Sequence, residues 1–504
     1  MQDVAQYQVV IIGSGLGGLL CGVILAKYGY DVVIVEQNKQ IGGCLQTFSF
    51  EKKIFDAAIH YLGGLAPGQN LYKIFDYVGI MQDLKIAHMD TNCFDQICFG
   101  TEENTYSLAQ GITNFKAKLC EQFPAECSGI EQYVEFLEQT CAAVPLYNLR
   151  MGDEAEKAVY DNLSLQEVLG RCGLSEALQK VITGNAILYA GDKASSSWLV
   201  HALVAKSYIE SSWRLEGGGS QIAKLLLRQL RHYGGKLYRN EKVIGLNTKD
   251  GLVHSAVTYS GRKFEGSYFI GAIHPQQVIG LLDNPNLLKK LYRTRIANAG
   301  DTVACVMLNI VLHAQTVPYR NYNINWSQDH PLNAIAEVSR VFPSNYSIYF
   351  TQDKQHPHYA ESVSILAYVD NDTFKEWEQS FNTTNAASNR ASDYQQSKEA
   401  IKEQLLSKVS ERLPELKANV KAWKLATPLT YRDYQGTLIG SMYGIKKDVR
   451  FAANTRLSTK TRIENLYLTG QNISLHGVLG VSMASLMTVA NFVDLQQLLS
   501  EINN

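Results

Sequence analysis

A short apolar run, Val9-Val10-Ile11-Ile12, leads straight into Gly13-Ser14-Gly15-Leu16-Gly17-Gly18, and a second run, Val32-Val33-Ile34-Val35, ends at an acid, Glu36. Few patterns restrict a chain so narrowly. The glycines permit a tight strand-to-helix turn, close approach of the backbone to a pyrophosphate, and close packing of the helix on its sheet. Free amides and the dipole at the helix start hold phosphates. Glu36 falls at the distance where a carboxylate accepts hydrogen bonds from both ribose hydroxyls, which argues against a 2′-phosphate there. The reading is an adenine dinucleotide site on an α/β sheet.

The glycine motif sits in the strand-turn-helix-strand context it requires, with Leu19, Leu25 and Ala26 along the helix and Gly29 before the second strand. A second pair, Gly42-Gly43, follows Glu36 by five residues, with Thr47 four positions further on. This pair resembles the loop that passes beside the dinucleotide in FAD enzymes sharing the glutathione reductase type of Rossmann domain. An NAD-only domain has no need of it, so FAD is the expected cofactor. Dithiol flavoenzymes carry two cysteines after this pair, separated by four residues. Here Cys44 stands alone and the residue five places on is Ser49, so a redox disulfide is not expected.

With 504 residues the chain has ample length for two cores, and 46% hydrophobic and 19% charged residues describe a globular composition. A net charge of −1 offers no general attraction to nucleic acid. The nearly uncharged stretch 9–26 carries five glycines and no preceding basic segment, which favours a buried strand and helix over a leader or membrane span. The expected location is therefore cytoplasmic. Nine cysteines without paired spacing read as reduced thiols. Cys93 with Cys98, and His356 with His358, lack the partners of a metal site, so no metal is expected.

Apolar residues recur at helical spacing across 70–181, as in Leu71, Ile74, Phe75 and Val78. Further helices are expected at 195–210, 220–230 and 396–412, and strands at 236–246, 252–259, 263–270, 304–312, 347–350 and 363–369. Residues 382–397 read as a surface loop. The expected organisation is a discontinuous dinucleotide domain (1–69, 212–290 and 430–504) interleaved with a substrate or cap domain (70–211 and 291–429).

Near the C-terminal end, Asn465-Leu466-Tyr467-Leu468-Thr469-Gly470-Gln471-Asn472 reads as a buried strand and polar turn. His476-Gly477-Val478-Leu479-Gly480 then opens a helix of small and apolar residues. Beside a flavin ring, such a helix start aims free amides and positive dipole at the region where charge gathers on reduction. The alternative is an ordinary strand-turn-helix of the sheet.

Four blocks now carry a resemblance: Phe55-Asp56-Ala57-Ala58-Ile59-His60-Tyr61; Val200-His201-Ala202-Leu203-Val204 before Glu216-Gly217-Gly218-Gly219; Thr427-Pro428-Leu429-Thr430 with Gly440-Ser441-Met442-Tyr443-Gly444; and the Leu466–Asn472 stretch. The chain resembles the phytoene desaturase, carotenoid isomerase and retinol saturase group of FAD enzymes, and looks closest to the retinol saturase branch. The resemblance implies an α/β fold: a Rossmann-type FAD domain of the glutathione reductase type, amine oxidase or phytoene desaturase-like, interleaved with an α+β substrate domain. It implies hydride chemistry at flavin N5 on a carbon-carbon double bond of an apolar polyene, with saturation or isomerisation favoured.

The implied cofactor contacts are Gly13, Gly15, Leu16, Gly18, Glu36, Gln37, Gly42, Gly43, Val243, Gly470, Asn472, Gly477, Val478 and Gly480. The protonation candidates are His60 and His201, then Tyr443, each weighed against a hydrogen-bonded core role. Two departures stand out. Asn472 replaces the family's usual Asp, keeping an acceptor carbonyl without charge, and Ala58 replaces a usual glycine.

No second GxGxxG appears, so NAD(P)H is considered only as a transient electron donor. The alternatives are a carotenoid desaturase, a flavin amine or other oxidase, and a flavin-free prenyl-lipid binding module. A polyene stored in lipid implies peripheral membrane contact, expected near 186–208 or the helices after Asn70.

Overall fold

The structure is a computed structural model that describes residues 4–153, 155–382, 390 and 392–504. Val9 to Ile12 and Val32 to Val35 are fully or almost fully buried, as parallel strands covered on both faces must be. Strand Val4–Ile12 lies between Val32–Val35 and Lys263–Gly271, all parallel, and Lys236–Tyr238 extends the edge beyond Val32–Val35. Lys263–Gly271 pairs antiparallel with Leu252–Thr258 near its start and parallel with Leu466–Leu468 near its end. Residues from both ends of the chain thus meet at one edge of the glycine turn. Helix Leu16–Lys27 packs against helices Gly477–Val489 and Ser220–His232.

A second seven-stranded sheet runs in the order Val420–Ala426, Ala304–Leu312, Ala360–Val369, Asn345–Gln352, Asn323–Ser327, Asp95–Phe99, Thr105–Leu108. It is antiparallel except where Asn323–Ser327 meets Asp95–Phe99. Strand alternation divides its faces. Val306, Leu308 and Ile310 pack with Leu405, Leu406 and Val409 of helix Ser392–Ser410. Cys305, Met307, Tyr349, Leu366 and Tyr368 face the other way, into the core shared with the dinucleotide helices.

The helical reading of 70–181 is corrected in part. Helices Asn70–Tyr77, Ile112–Gln122 and Cys127–Ala142 form, but Ile86–His88, Asp95–Phe99 and Thr105–Leu108 are strands. Those segments are three to five residues long, too short for periodicity to separate them from helix. The strand expected over 236–246 breaks into Lys236–Tyr238 and Val243–Lys249. Residues 383–389 and 391, within the expected loop, lie outside the described residues, and the helix after it begins at Ser392.

Candidate active site

The glycine turn is built by three different necessities. Gly13 has φ +98°, a conformation that favours glycine, and its N–H donates to Val35 O at 2.9 Å. A Cβ on Gly18 would stand 2.1 Å from Gly13 O, so Gly18 secures packing and does not line the cleft. Gly15 differs from both. Its φ of −61° and ψ of 172° suit any residue, and a Cβ there would meet nothing within 4 Å. Nothing in the protein requires a glycine at that point, so the open space serves a ligand that approaches the backbone.

The second glycine pair closes over the first turn. Gly15 bridges to Gly42, and a Cβ on Gly43 would lie 3.3 Å from Gly15 Cα. Helix Leu16–Lys27 begins with no side-chain cap, leaving its first amides for a ligand. Glu36 is 6% exposed. Its Oε2 accepts from Ser14 N at 2.9 Å and Ser14 Oγ at 2.6 Å, and its Oε1 accepts from Asn38 N at 2.7 Å. The carboxylate therefore braces the turn, a role the sequence reading did not include, and its remaining lone pairs face the cleft.

The cleft has a volume of about 460 Å³, within the usual range for small-molecule sites. Of the implied cofactor contacts, Gly13, Gly15, Leu16, Glu36, Gln37, Gly42, Gly43, Val243, Gly470, Asn472, Gly477 and Val478 line it, and Gly18 and Gly480 do not. A Cβ on Gly480 would come within 2.6 Å of Leu475 O, so that glycine also serves packing. The sequence reading missed Gln277, Ala272 and Thr437, which line the cleft from the sheet end and from the loop after residue 435. Gly436 and Gly440, both with positive φ, were the available signal for that loop.

Helix Gly477–Val489 also starts without a side-chain cap, so its amides and dipole face the far end of the cleft. Asn472 Oδ1 already accepts from Ile445 N at 2.9 Å, leaving one lone pair of the carbonyl and the donor Nδ2. Lys447 holds the same turn, donating to Asn472 O at 2.8 Å, Thr455 O at 3.2 Å and Ile473 O at 3.3 Å. Burial, with Arg456 nearby, pushes its ammonium down to about 7.

The protonation candidates fall in three different places. Tyr443 lines the cleft, donates from its hydroxyl to Ile187 O at 3.0 Å and stacks at 4.2 Å against His476. Burial holds its phenol well above the usual range, so it keeps its proton. His60 stands just beyond Ala58 and Ile59, which line the cleft, with its ring stacked at 4.2 Å on Tyr349. Burial and the Arg214 charge push His60 down to about 3; it is neutral near pH 7 and cannot act there as a charged acid. His201 does not reach the cleft at all. It is fully buried, bonded to Tyr133 Oη at 2.8 Å and Tyr189 Oη at 2.9 Å, a core histidine positioned by helix Trp198–Glu210. That placement corrects the expectation that His201 serves protonation.

Cys44 lines the cleft as a neutral thiol, pushed up to about 11 by burial, and all nine cysteines are free. Among the described residues no three His, Cys, Asp or Glu side chains gather as a metal would require.

Fold and cleft define the class: a Rossmann-type dinucleotide-binding oxidoreductase. Residues 11–78 match the family model described as an NAD(P)-binding Rossmann-like domain. The particular likeness is to all-trans-retinol 13,14-reductase. The Danio rerio enzyme is 25% identical over 95% of this chain and 84% of its own length. The 4,4′-diapophytoene desaturase (4,4′-diapolycopene-forming) of a Methylomonas species is 20% identical over 92% of this chain and 90% of its own. Among solved structures, putrescine oxidase bound to putrescine superposes with a TM-score of 0.63 at 15% identity, covering 99% of each chain. The resemblance read from the four blocks therefore extends along nearly the whole chain.

Proposed function

We propose that this protein is an FAD-dependent oxidoreductase acting on a carbon-carbon double bond of an apolar polyene, in the direction of saturation or isomerisation. The observation that carries the reading is the course of the cleft. It begins at the glycine turn, passes the Gly42-Gly43 pair, and ends between the uncapped start of Gly477–Val489 and Tyr443. Directly after the cleft-lining Ala58 and Ile59, His60 stacks 4.2 Å from Tyr349 and Tyr61 lies 4.6 Å from Tyr208.

When bound, FAD supplies hydride exchange between its ring and one carbon of the conjugated system. The chain does the rest. The amides at Leu16 and Gly17 hold the pyrophosphate, and Glu36 holds the adenosine ribose. With FAD bound, the uncapped start of Gly477–Val489 would supply amides and positive dipole that stabilise negative charge on the ring. Tyr443 keeps a proton inside the cleft, and the apolar walls exclude water. NAD(P)H remains a proposed transient donor, to be tested directly as a reductant of the bound flavin.

The test is anaerobic incubation of the photoreduced protein with retinoids and carotenoids, followed by mass analysis. A gain of two mass units identifies saturation, and an unchanged mass at a shifted retention time identifies isomerisation. Colourless protein that stays so with added FAD overturns the reading.

Peripheral membrane contact belongs to the same proposal. Among the described residues no helix is long and apolar enough to cross a membrane. About half of 186–208 is buried and the rest partly or fully exposed, so that region and the helices after Asn70 stand as candidate contacts beside exposed Met151, Val159 and Phe451; the segments of Val159 and Phe451 are tied together by the Arg456–Asp161 ion pair, with Arg150 and Arg450 nearby in the chain. Flotation with anionic liposomes that Val159→Asp together with Phe451→Asp abolishes is the expected result.

A further inference from the structure

We propose that Arg214, buried next to His60 and Tyr61, is the site that holds the substrate's headgroup and that it binds a carboxylate, which makes the substrate an apolar chain ending in an acid. The inference rests on the reading above for the rest of that chain. Ala58 and Ile59 line the cofactor cleft, and the backbone then continues through His60 and Tyr61 into Leu62–Gly63. That short strand pairs antiparallel with Ser212–Leu215, Leu62 opposite Trp213 and Gly63 opposite Ser212. The register sets Arg214 across from Tyr61. Three residues separate Ala58 from Tyr61, a span of at most about 10 Å, and a headgroup at Arg214 places the substrate's chain toward the cleft.

Arg214 is 9% exposed, and neither Nε nor Nη2 has a hydrogen-bond partner among the described residues. These two N–H groups form the side-on fork of a guanidinium, whose parallel donors match the two oxygens of a carboxylate. The two unused donors are adjacent on one edge of the guanidinium.

The carboxylate nearby, Asp95, does not fill the fork. It accepts from Tyr61 Oη at 2.8 Å, Asn185 Nδ2 at 3.0 Å and Asn323 Nδ2 at 2.8 Å, so most of its acceptor capacity is already used. His60 Nε2, beside Tyr61 in the chain, is also without a partner, and a neutral imidazole can donate a third bond to the same ligand. A hydroxyl headgroup has one neutral oxygen to share between both donors, a weaker match than the two charged oxygens of a carboxylate.

The experiment measures binding of all-trans-retinoic acid and all-trans-retinol to the flavin-loaded wild-type protein, Arg214→Gln and Arg214→Lys, by fluorescence quenching. The expected result is at least tenfold tighter binding of the acid by wild type, loss of that preference in Arg214→Gln, and partial retention in Arg214→Lys, which keeps the charge without the fork. Should the variants fail to fold, competition on wild type decides: palmitate displacing retinoic acid at least tenfold better than hexadecanol supports the site.

Equal binding of acid and alcohol by wild type, or an unchanged preference in Arg214→Gln, overturns it. Reoxidation of the photoreduced flavin separates the two claims. Acid that binds through Arg214 but leaves the flavin reduced defeats the polyene reading and spares the fork. Alcohol or carotene turned over with no acid preference does the reverse.

Discussion

The two sides of the catalytic region are finished to different degrees. On the cofactor side, the turn is made rigid by the protein alone: Glu36 accepts three hydrogen bonds from Ser14 and Asn38, and Lys447 ties two carbonyls of the C-terminal turn, Asn472 O and Ile473 O, to Thr455 O. Around His60, the buried Arg214 Nε and Nη2 and His60 Nε2 are left without partners among the described residues, whereas in the cleft lining the unpartnered atom is Thr437 Oγ1. A rigid cradle binds a resident group with little reorganisation, whereas unpaired buried donors are satisfied only when a transient ligand supplies the acceptor. On the proposed reading, the difference separates what would hold a cofactor from what would select a substrate.

The sharpest way to break the comparison is to exchange its glycines. Gly18→Val places atoms against Gly13 O, where even a Cβ would lie at 2.1 Å, and is expected to cost about 3 kcal/mol or more of stability, read by urea unfolding. Gly15→Val meets open space and is expected to change stability of the cofactor-free protein by about 1 kcal/mol or less, while bound flavin affinity falls at least tenfold. A Gly15→Val protein with full flavin occupancy would show that the opening over Gly15 is not the pyrophosphate path.

Glu36→Ala comes next. It removes an acceptor for the ribose and for two backbone amides together, and a loss of about 1 to 3 kcal/mol in flavin affinity is expected by titration. Glu36→Gln, which keeps one acceptor, should lie between.

Acid pH probes the core against the surroundings of Arg214. His201, pushed down to about 3 by burial, has a folded pKa below its unfolded value of about 6.5. Its contribution to stability is therefore complete above pH 6.5 and is lost as pH falls toward 3, at about 1.4 kcal/mol per pH unit at most. His60 and His476 carry the same sign. His201→Gln should flatten this acid limb without altering flavin binding. A changed flavin spectrum in that variant would return His201 to the site.

The smallest effect is expected from His60→Gln on the flavin potential. The ring lies beyond Ile59 and is neutral, so the potential should shift by less than the equivalent of about 0.5 kcal/mol, while single-turnover reaction with substrate slows. Reaction at wild-type speed would make His60 structural.

The glycine turn, Glu36, the Gly42-Gly43 pair and the helix at Gly477 were legible in the chain because each is a local device: backbone angle, close approach and helix start are set within a few neighbouring residues. The same local logic misjudged Gly18 and Gly480, because whether a missing Cβ faces a ligand or a neighbouring backbone depends on what packs there. His201 and His60 looked alike as short motifs, yet helix Trp198–Glu210 carries one into a tyrosine-lined core and the chain after Ala58 carries the other next to Arg214.

The strands Asp95–Phe99 and Asn323–Ser327 escaped notice because their buried Asp and Asn residues look exposed until Tyr61 and Asn185 arrive from distant segments to satisfy them. Arg214 shows the division most clearly. The sequence by itself determined a dinucleotide cleft, since hydrophobic runs and glycines encode it at short range. Only the tertiary structure decided that a guanidinium would be buried beyond that cleft with its fork unpaired, because desolvation and hydrogen-bond satisfaction are properties of neighbours far apart in the chain.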